Sequence, residues 1–138
     1  MIYTSYFANL GKLPDNVVPI SICAKNPGWY GGLHYYKLAP KYEVLYKWLT
    51  KHNEDDYIKE YTKTTLETLS IFKVLCYLQV MLYEEGYESQ SPFWESPDLH
   101  VALICYEKPS EFCHRHLVAE WLRKDGIQCE EWASNKNT

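Results

Sequence analysis

Val101-Ala-Leu-Ile-Cys105 is an unbroken apolar run of strand length, and Leu117-Val-Ala-Glu-Trp-Leu122 repeats with helical period. Between them lies Tyr106-Glu-Lys-Pro-Ser-Glu-Phe-Cys-His-Arg-His116. A buried strand that hands over to an amphipathic helix is the unit of a parallel, helix-covered sheet. In such sheets ligands bind at the carboxyl ends of the strands. The handover is also chemically dense: Cys105 and Cys113 supply thiols, Glu107 a carboxylate, His114 and His116 imidazoles and Arg115 a guanidinium.

Working outward, the same pattern recurs. Ile2-Tyr-Thr-Ser-Tyr and Val17-Val-Pro-Ile-Ser-Ile-Cys23 are β-rich, with Pro19 near the start of the second run, where a missing N–H is tolerable. Asn26 to Pro40 is rich in turn formers and aromatics and has no clear period. A helix follows from Pro40 to about His52, with Tyr42, Leu45, Tyr46 and Leu49 on one stripe. Asp55 and Asp56 open a second helix bearing Tyr57, Ile58 and Tyr61, and the threonines from 62 to 68 suggest a break. Ser70 caps a third, with Ile71, Leu75, Leu78 and Leu82 at helical spacing and Gly86 as its stop. Glu88 to Asp98 is a loop by composition. The last helix runs from a Ser110 cap to about Lys124, Gly126 ends it, and Ile127 to Trp132 alternates as a final edge strand. The expected fold is therefore α/β: a single three-layer domain over residues 1–134, its mainly parallel sheet of about four strands flanked by helices, with a frayed tail at 135–138.

The 138 residues suit one domain. A net charge of −4 argues against sequence-independent binding to a long phosphate backbone but not against a nucleotide-sized ligand. No apolar run reaches the roughly 20 residues of a membrane span, and Met1-Ile-Tyr-Thr-Ser lacks the layout of a secretory signal, so the expectation is a soluble cytoplasmic protein without a membrane partner. Nothing in the sequence sets an oligomeric state. Five scattered cysteines make poor material for a disulfide framework and are read as reduced thiols, with Cys23, Cys76 and Cys129 as small buried hydrophobes.

With Ser110 as the cap, 100° steps place His114 at the middle of the apolar face, Cys113 and Arg115 on its flanks, and His116 and Arg123 towards solvent. Arg115 and the helix start then form an anion clamp, or Arg115 pairs with a structural carboxylate such as Glu107 or Glu111. Cys113 is either a thiolate activated by the helix start or an inert buried thiol, and Cys105, among apolar neighbours, fits the inert description better. A metal site is not expected: the spacing of Cys105, Glu107, Cys113 and His114 matches no common zinc pattern, and adjacent helical residues diverge too far to chelate. No cofactor is expected either. A phosphatase-like loop needs a Cys five residues before an Arg, and neither thiol is so placed. Trp29, Tyr30, Tyr35 and Tyr36, among glycines, form either a flap that stacks on a planar ring over the strand ends or a cap on the core. His34, His52 and His100 are single histidines with structural or surface roles.

Leu103-Ile-Cys-Tyr-Glu-Lys-Pro followed by Phe112-Cys-His-Arg-His-Leu-Val-Ala-Glu-Trp-Leu resembles the DUF488 family, whose members carry a Cys-x-Glu strand end and a Cys-His-Arg helix start. Tyr3-Thr-Ser-Tyr, Pro27-Gly-Trp and Tyr36-Lys-Leu-Ala-Pro40 extend the likeness over nearly the whole chain. The resemblance implies a small cytoplasmic α/β domain of no established activity, with signature positions at Cys105, Glu107, Cys113, His114 and Arg115. More typical members have Asp-Val-Arg after the second strand. Here Ile22-Cys-Ala-Lys25 stands instead, so Lys25 replaces that arginine without its bidentate geometry.

Two functions from different classes follow. One is an enzyme acting on a small anionic ligand resembling a nucleotide or modified base, with His114, Glu107 and Cys113 as catalytic groups and Arg115, Cys105, Lys25, Trp29 and Tyr35 around the ligand. The other is a non-catalytic ligand-binding module, or a purely structural network of the same Cys, Glu, His and Arg groups.

Overall fold

The structure, a computed structural model, describes residues 1–132. The expected tail at 135–138 and the last two residues of the expected domain lie outside them. Five strands form one parallel sheet: β1 (Ile2–Tyr6), β2 (Val17–Ser21), β3 (Leu33–His34), β4 (His100–Cys105) and β5 (Cys129–Glu131), in the order β3-β2-β4-β1-β5. The apolar run that announced the fold is the central strand. It pairs with β1 from Ile2↔Val101 to Tyr6↔Cys105 and with β2 from Val17↔His100 to Ser21↔Ile104. Paired on both edges and covered on both faces, β4 has no position free for a polar residue between Val101 and Cys105.

The helices are α1 (Tyr42–Lys51), α2 (Glu54–Thr64), α3 (Ile71–Glu84) and α4 (His114–Lys124), and 3₁₀ turns follow β1 at Phe7–Lys12, precede α1 at Tyr36–Leu38 and link α2 to α3 at Leu66–Thr68. Asn53 caps α2 by accepting from the Asp56 N–H at 3.1 Å, and Ser70 caps α3 by accepting from the Lys73 N–H at 3.4 Å. Gly86 and Gly126, at φ +90° and +84°, end α3 and α4 in the left-handed conformation that glycine adopts without a Cβ penalty.

Both faces of the sheet are covered, but unequally. Val101 and Leu103 of β4 and Val18 and Ile20 of β2 join residues of all four helices in one large cluster. Ala102 and Ile104 face a smaller cluster with Val17 and Phe7, closed by Leu10, Leu13, Tyr30 and Trp132. That second layer is made by a 3₁₀ turn and connecting segments.

Three expectations change. The sheet has five strands where about four were expected, because Leu33–His34 pairs with β2 inside a segment read as irregular. Two residues are too few to show a period, and the pairing is fixed by main-chain bonds such as Tyr35 N–H to Ser21 O at 2.8 Å. The stripe of α1 also points the other way: Val44 is buried and Trp48 packs on the core, while Tyr42, Tyr46 and Leu49 are exposed. Finally, α4 starts at His114 with Cys113 as its N-cap residue, and Ser110 lies in a turn before it. Phe112 explains the late start, since its ring packs on Trp48 and Tyr57 at 4.9 and 5.1 Å and holds the chain off the helix axis.

No single helix among the described residues is long and apolar enough to cross a membrane.

Candidate functional site

β4 ends at Cys105, and the residues that follow climb over the carboxyl ends of β1 and β2 before turning back into α4. A cavity of about 280 Å³ opens there, between the segment after β2, helices α1 and α2, and the β4–α4 connection. Its walls are Pro40, Leu45, Trp48, Leu49, Tyr57 and Phe112. Cys23, Ala24, Lys25, Tyr106 and Glu107 line it from the strand-end side, and Cys105, Cys113 and His114 complete the lining. Tyr106 closes one edge by donating its hydroxyl to Lys25 O at 2.7 Å.

Five of the eight expected site residues therefore meet at this cavity: Lys25, Cys105, Glu107, Cys113 and His114. Arg115, Trp29 and Tyr35 are not brought to it. Trp29 is two-thirds exposed and rests on Phe7, at 5.9 Å between centroids. Tyr35 is buried in the main core, 6.2 Å from the Tyr77 ring. The rings that wall the cavity instead come mainly from α1, α2 and the β4–α4 connection. No spacing rule pointed to Trp48, Tyr57 or Phe112 as a set, because they meet only when two helices and a loop pack together.

His114 is fully inside, as its place on the helical face predicts. Its Nε2–H donates to Ile22 O at 2.7 Å, which leaves Nδ1 as the free lone pair, 3.8 Å from Cys113 Sγ. Burial pushes its pKa down to about 4, with the Ile22 hydrogen bond opposing and Arg115 adding to the fall, so the ring is neutral at physiological pH.

Cys105 and Cys113 are joined as a disulfide, and both are buried. The expectation of reduced thiols holds for Cys23, Cys76 and Cys129 and fails for this pair. Spacing was a poor guide because the partners are brought together by the loop between β4 and α4, not by a disulfide framework. Burial pushes the Cys23 and Cys129 thiols up to about 12, so both behave as inert hydrophobes.

Arg115 is wholly buried. Its Nε and Nη2 donate to Oε1 and Oε2 of Glu131, both at 3.0 Å, while Nη1 donates to Glu107 O at 2.6 Å and to Cys105 Sγ at 3.0 Å. The guanidinium is thus tied by four hydrogen bonds to β5, to the end of β4 and to the segment that follows it. Its carboxylate partner is Glu131, neither of the two nearer in sequence. His116, expected to face solvent, is half-buried, with Nε2 enclosed and without a hydrogen-bond partner among the described residues. The reason is that β5 packs beside α4 and covers its outward turn. Burial and the adjacent Arg115 lower its pKa.

The objection to metal chelation was that neighbouring helical residues diverge. Cys113 is not helical: at φ −154° and ψ 146° it is extended, and its Sγ lies 3.8 Å from His114 Nδ1. Cys105 Sγ, Cys113 Sγ and a ring nitrogen of His114 lie within 4.8 Å of one another.

Comparison of the chain with protein-family models, with curated proteins and with solved structures finds no match.

Proposed function

We propose that the protein binds a small anionic molecule with a planar ring, of nucleotide or modified-base type, in the strand-end cavity, and acts on it as an enzyme. The observation that carries this is the composition of one cavity of about 280 Å³: ring and aliphatic walls, and a lysine, cysteine sulfurs and an imidazole in its lining. Trp48, Tyr57 and Phe112 offer faces and edges to a planar ring, and Lys25 offers the charge for an anion. The groups proposed to react are His114 and the two cysteines, Cys105 and Cys113, once reduced, with Glu107, which also lines the cavity, as the proton carrier. The resemblance to the DUF488 family supports the same location and adds no reaction. Free thiols at Cys23, Cys76 and Cys129 suit a cytoplasmic setting.

Arg115 is left out of this ligand site. Its bonds to Glu131, Glu107 and Cys105 favour the structural-network reading for that part of the signature.

Calorimetric titration of the full chain with the four ribonucleoside monophosphates tests the proposal. At least one is expected to bind, with affinity falling about tenfold in Lys25→Ala and in Trp48→Ala and unchanged in Trp29→Ala. Binding indifferent to Trp48 and Lys25 would move the ligand elsewhere. Chromatography of the nucleotide after incubation then separates an enzyme from a binding module.

A further inference from the structure

The cluster of Cys105, Cys113 and His114 has a second possible state. We propose that, once its disulfide is reduced, Cys105 Sγ, Cys113 Sγ and His114 Nδ1 form a three-ligand site for a zinc-class divalent cation, whose fourth position opens into the cavity. The proposal deepens the reading of this cavity as a ligand site and rests on it for what would occupy that fourth position.

Four observations carry it. The two sulfurs and a ring nitrogen of His114 lie within 4.8 Å of one another, and Nδ1 itself is 3.8 Å from Cys113 Sγ, a span that one ion bonded to all of them can bridge after small rotations. The imidazole is already in the tautomer that a metal needs, because Nε2–H is engaged by Ile22 O at 2.7 Å and Nδ1 is the nitrogen left to ligate. A backbone carbonyl behind a ligating histidine is the usual device for fixing ring orientation. Arg115 Nη1 donates to Cys105 Sγ at 3.0 Å, and a guanidinium held rigidly by Glu131 is a partner for a coordinated thiolate. All three residues line the cavity, so an ion bound by them faces the ligand space instead of being enclosed. Two thiolates and one imidazole suit zinc and its borderline-soft neighbours and disfavour magnesium or calcium.

The disulfide and the metal exclude each other, so the site is gated by oxidation state. A dithiol reductant opens the bond by exchange: one of its thiolates attacks Cys113 Sγ, the sulfur–sulfur bond breaks, and Cys105 leaves as a thiolate facing Arg115. The reductant's second thiolate then releases Cys113 and departs as the reductant's own disulfide. Two electrons and two protons pass to the cysteine pair. Zinc binding displaces the thiol protons to solvent.

The test uses the full chain, reduced with a dithiol and freed of that reagent, then titrated with Zn²⁺ and separately with Co²⁺. One equivalent per chain is expected, with thiolate-to-cobalt charge-transfer absorption and no competition from Mg²⁺. Cys105→Ser, Cys113→Ser and His114→Ala should each weaken binding at least about hundredfold, and chain reoxidised to the Cys105–Cys113 disulfide should bind none. The reoxidised wild type keeps the test decisive if a variant fails to fold. Failure of reduced wild type to bind zinc, or retention of zinc by the disulfide form, would overturn the proposal. Trp48→Ala should weaken nucleotide binding about tenfold and leave metal affinity unchanged, so the two readings fail separately.

Discussion

His114 and Arg115 are consecutive residues in the first turn of α4, both buried, and they do opposite things. Arg115 carries a permanent charge into a fully buried place, where its guanidinium makes two bonds to Glu131, one to Glu107 O and one to Cys105 Sγ. His114 is neutral, spends one nitrogen on Ile22 O and keeps the other beside Cys113 at the cavity. A buried charge must be satisfied completely, which leaves nothing to offer a ligand. A buried neutral ring needs only one bond and has a lone pair to spare. Cys105 is where the two regions meet, since its sulfur touches Arg115 and is bonded to Cys113.

The largest expected effect that would break this contrast is on Arg115. Replacing it with alanine removes four hydrogen bonds and strands Glu131 and the strand-end carbonyl, which should lower the unfolding free energy by about 3 kcal/mol. Urea denaturation measures this. If Arg115→Ala left stability unchanged while abolishing ligand binding, the division of labour would be reversed. Phe112→Ala should cost about 2 kcal/mol by opening the packing against Trp48 and Tyr57, and should also weaken nucleotide binding, because this ring stands on both sides of the comparison. Glu131→Gln keeps the shape and loses the charge, at about 1 kcal/mol by the same denaturation.

A pH series sharpens the picture further. The Cys23 and Cys129 thiols have an unfolded value of 9.0 and a folded value of about 12, so the unfolded chain loses those protons first. Their contribution to stability is whole below pH 9 and is lost as pH rises through 12. Thermal melts of the Cys23→Ala and Cys129→Ala variants should accordingly fall less steeply between pH 9 and 10.5 than the wild type. The smallest effect belongs to Trp29→Ala, within about 0.5 kcal/mol of wild type, since the ring is two-thirds exposed and outside the cavity.

Local pattern revealed most of the elements and part of the site. The run Val101 to Cys105 could only be a buried strand, Ser70 and Gly86 bracket α3 as caps and stops do, and His114 falls on the inner face of α4 by angular position. These features depend on neighbours within a few residues, which the sequence displays directly. The stripe of α1 misled for a related reason: Tyr42, Tyr46 and Leu49 are apolar at the right spacing, yet periodicity does not say whether a face meets the core or, as with the exposed Tyr42 and Tyr46, solvent.

By itself the sequence determined a mainly parallel α/β sheet with a buried strand ending at Cys105, because hydrophobic period and helix punctuation are local properties of a chain. Tertiary structure alone decided that Arg115 pairs with Glu131 across β5, that Cys105 meets Cys113, that His114 exposes Nδ1 because Ile22 holds Nε2, and that Trp48, Tyr57 and Phe112 wall the cavity. Each of these relations joins residues on different elements, and packing sets their distances. The start of α4 shows the boundary between the two kinds of information. A cap at Ser110 was locally sound, but the contacts of Phe112 moved the helix start to His114, and that shift turned Cys113 towards His114 instead of away from it.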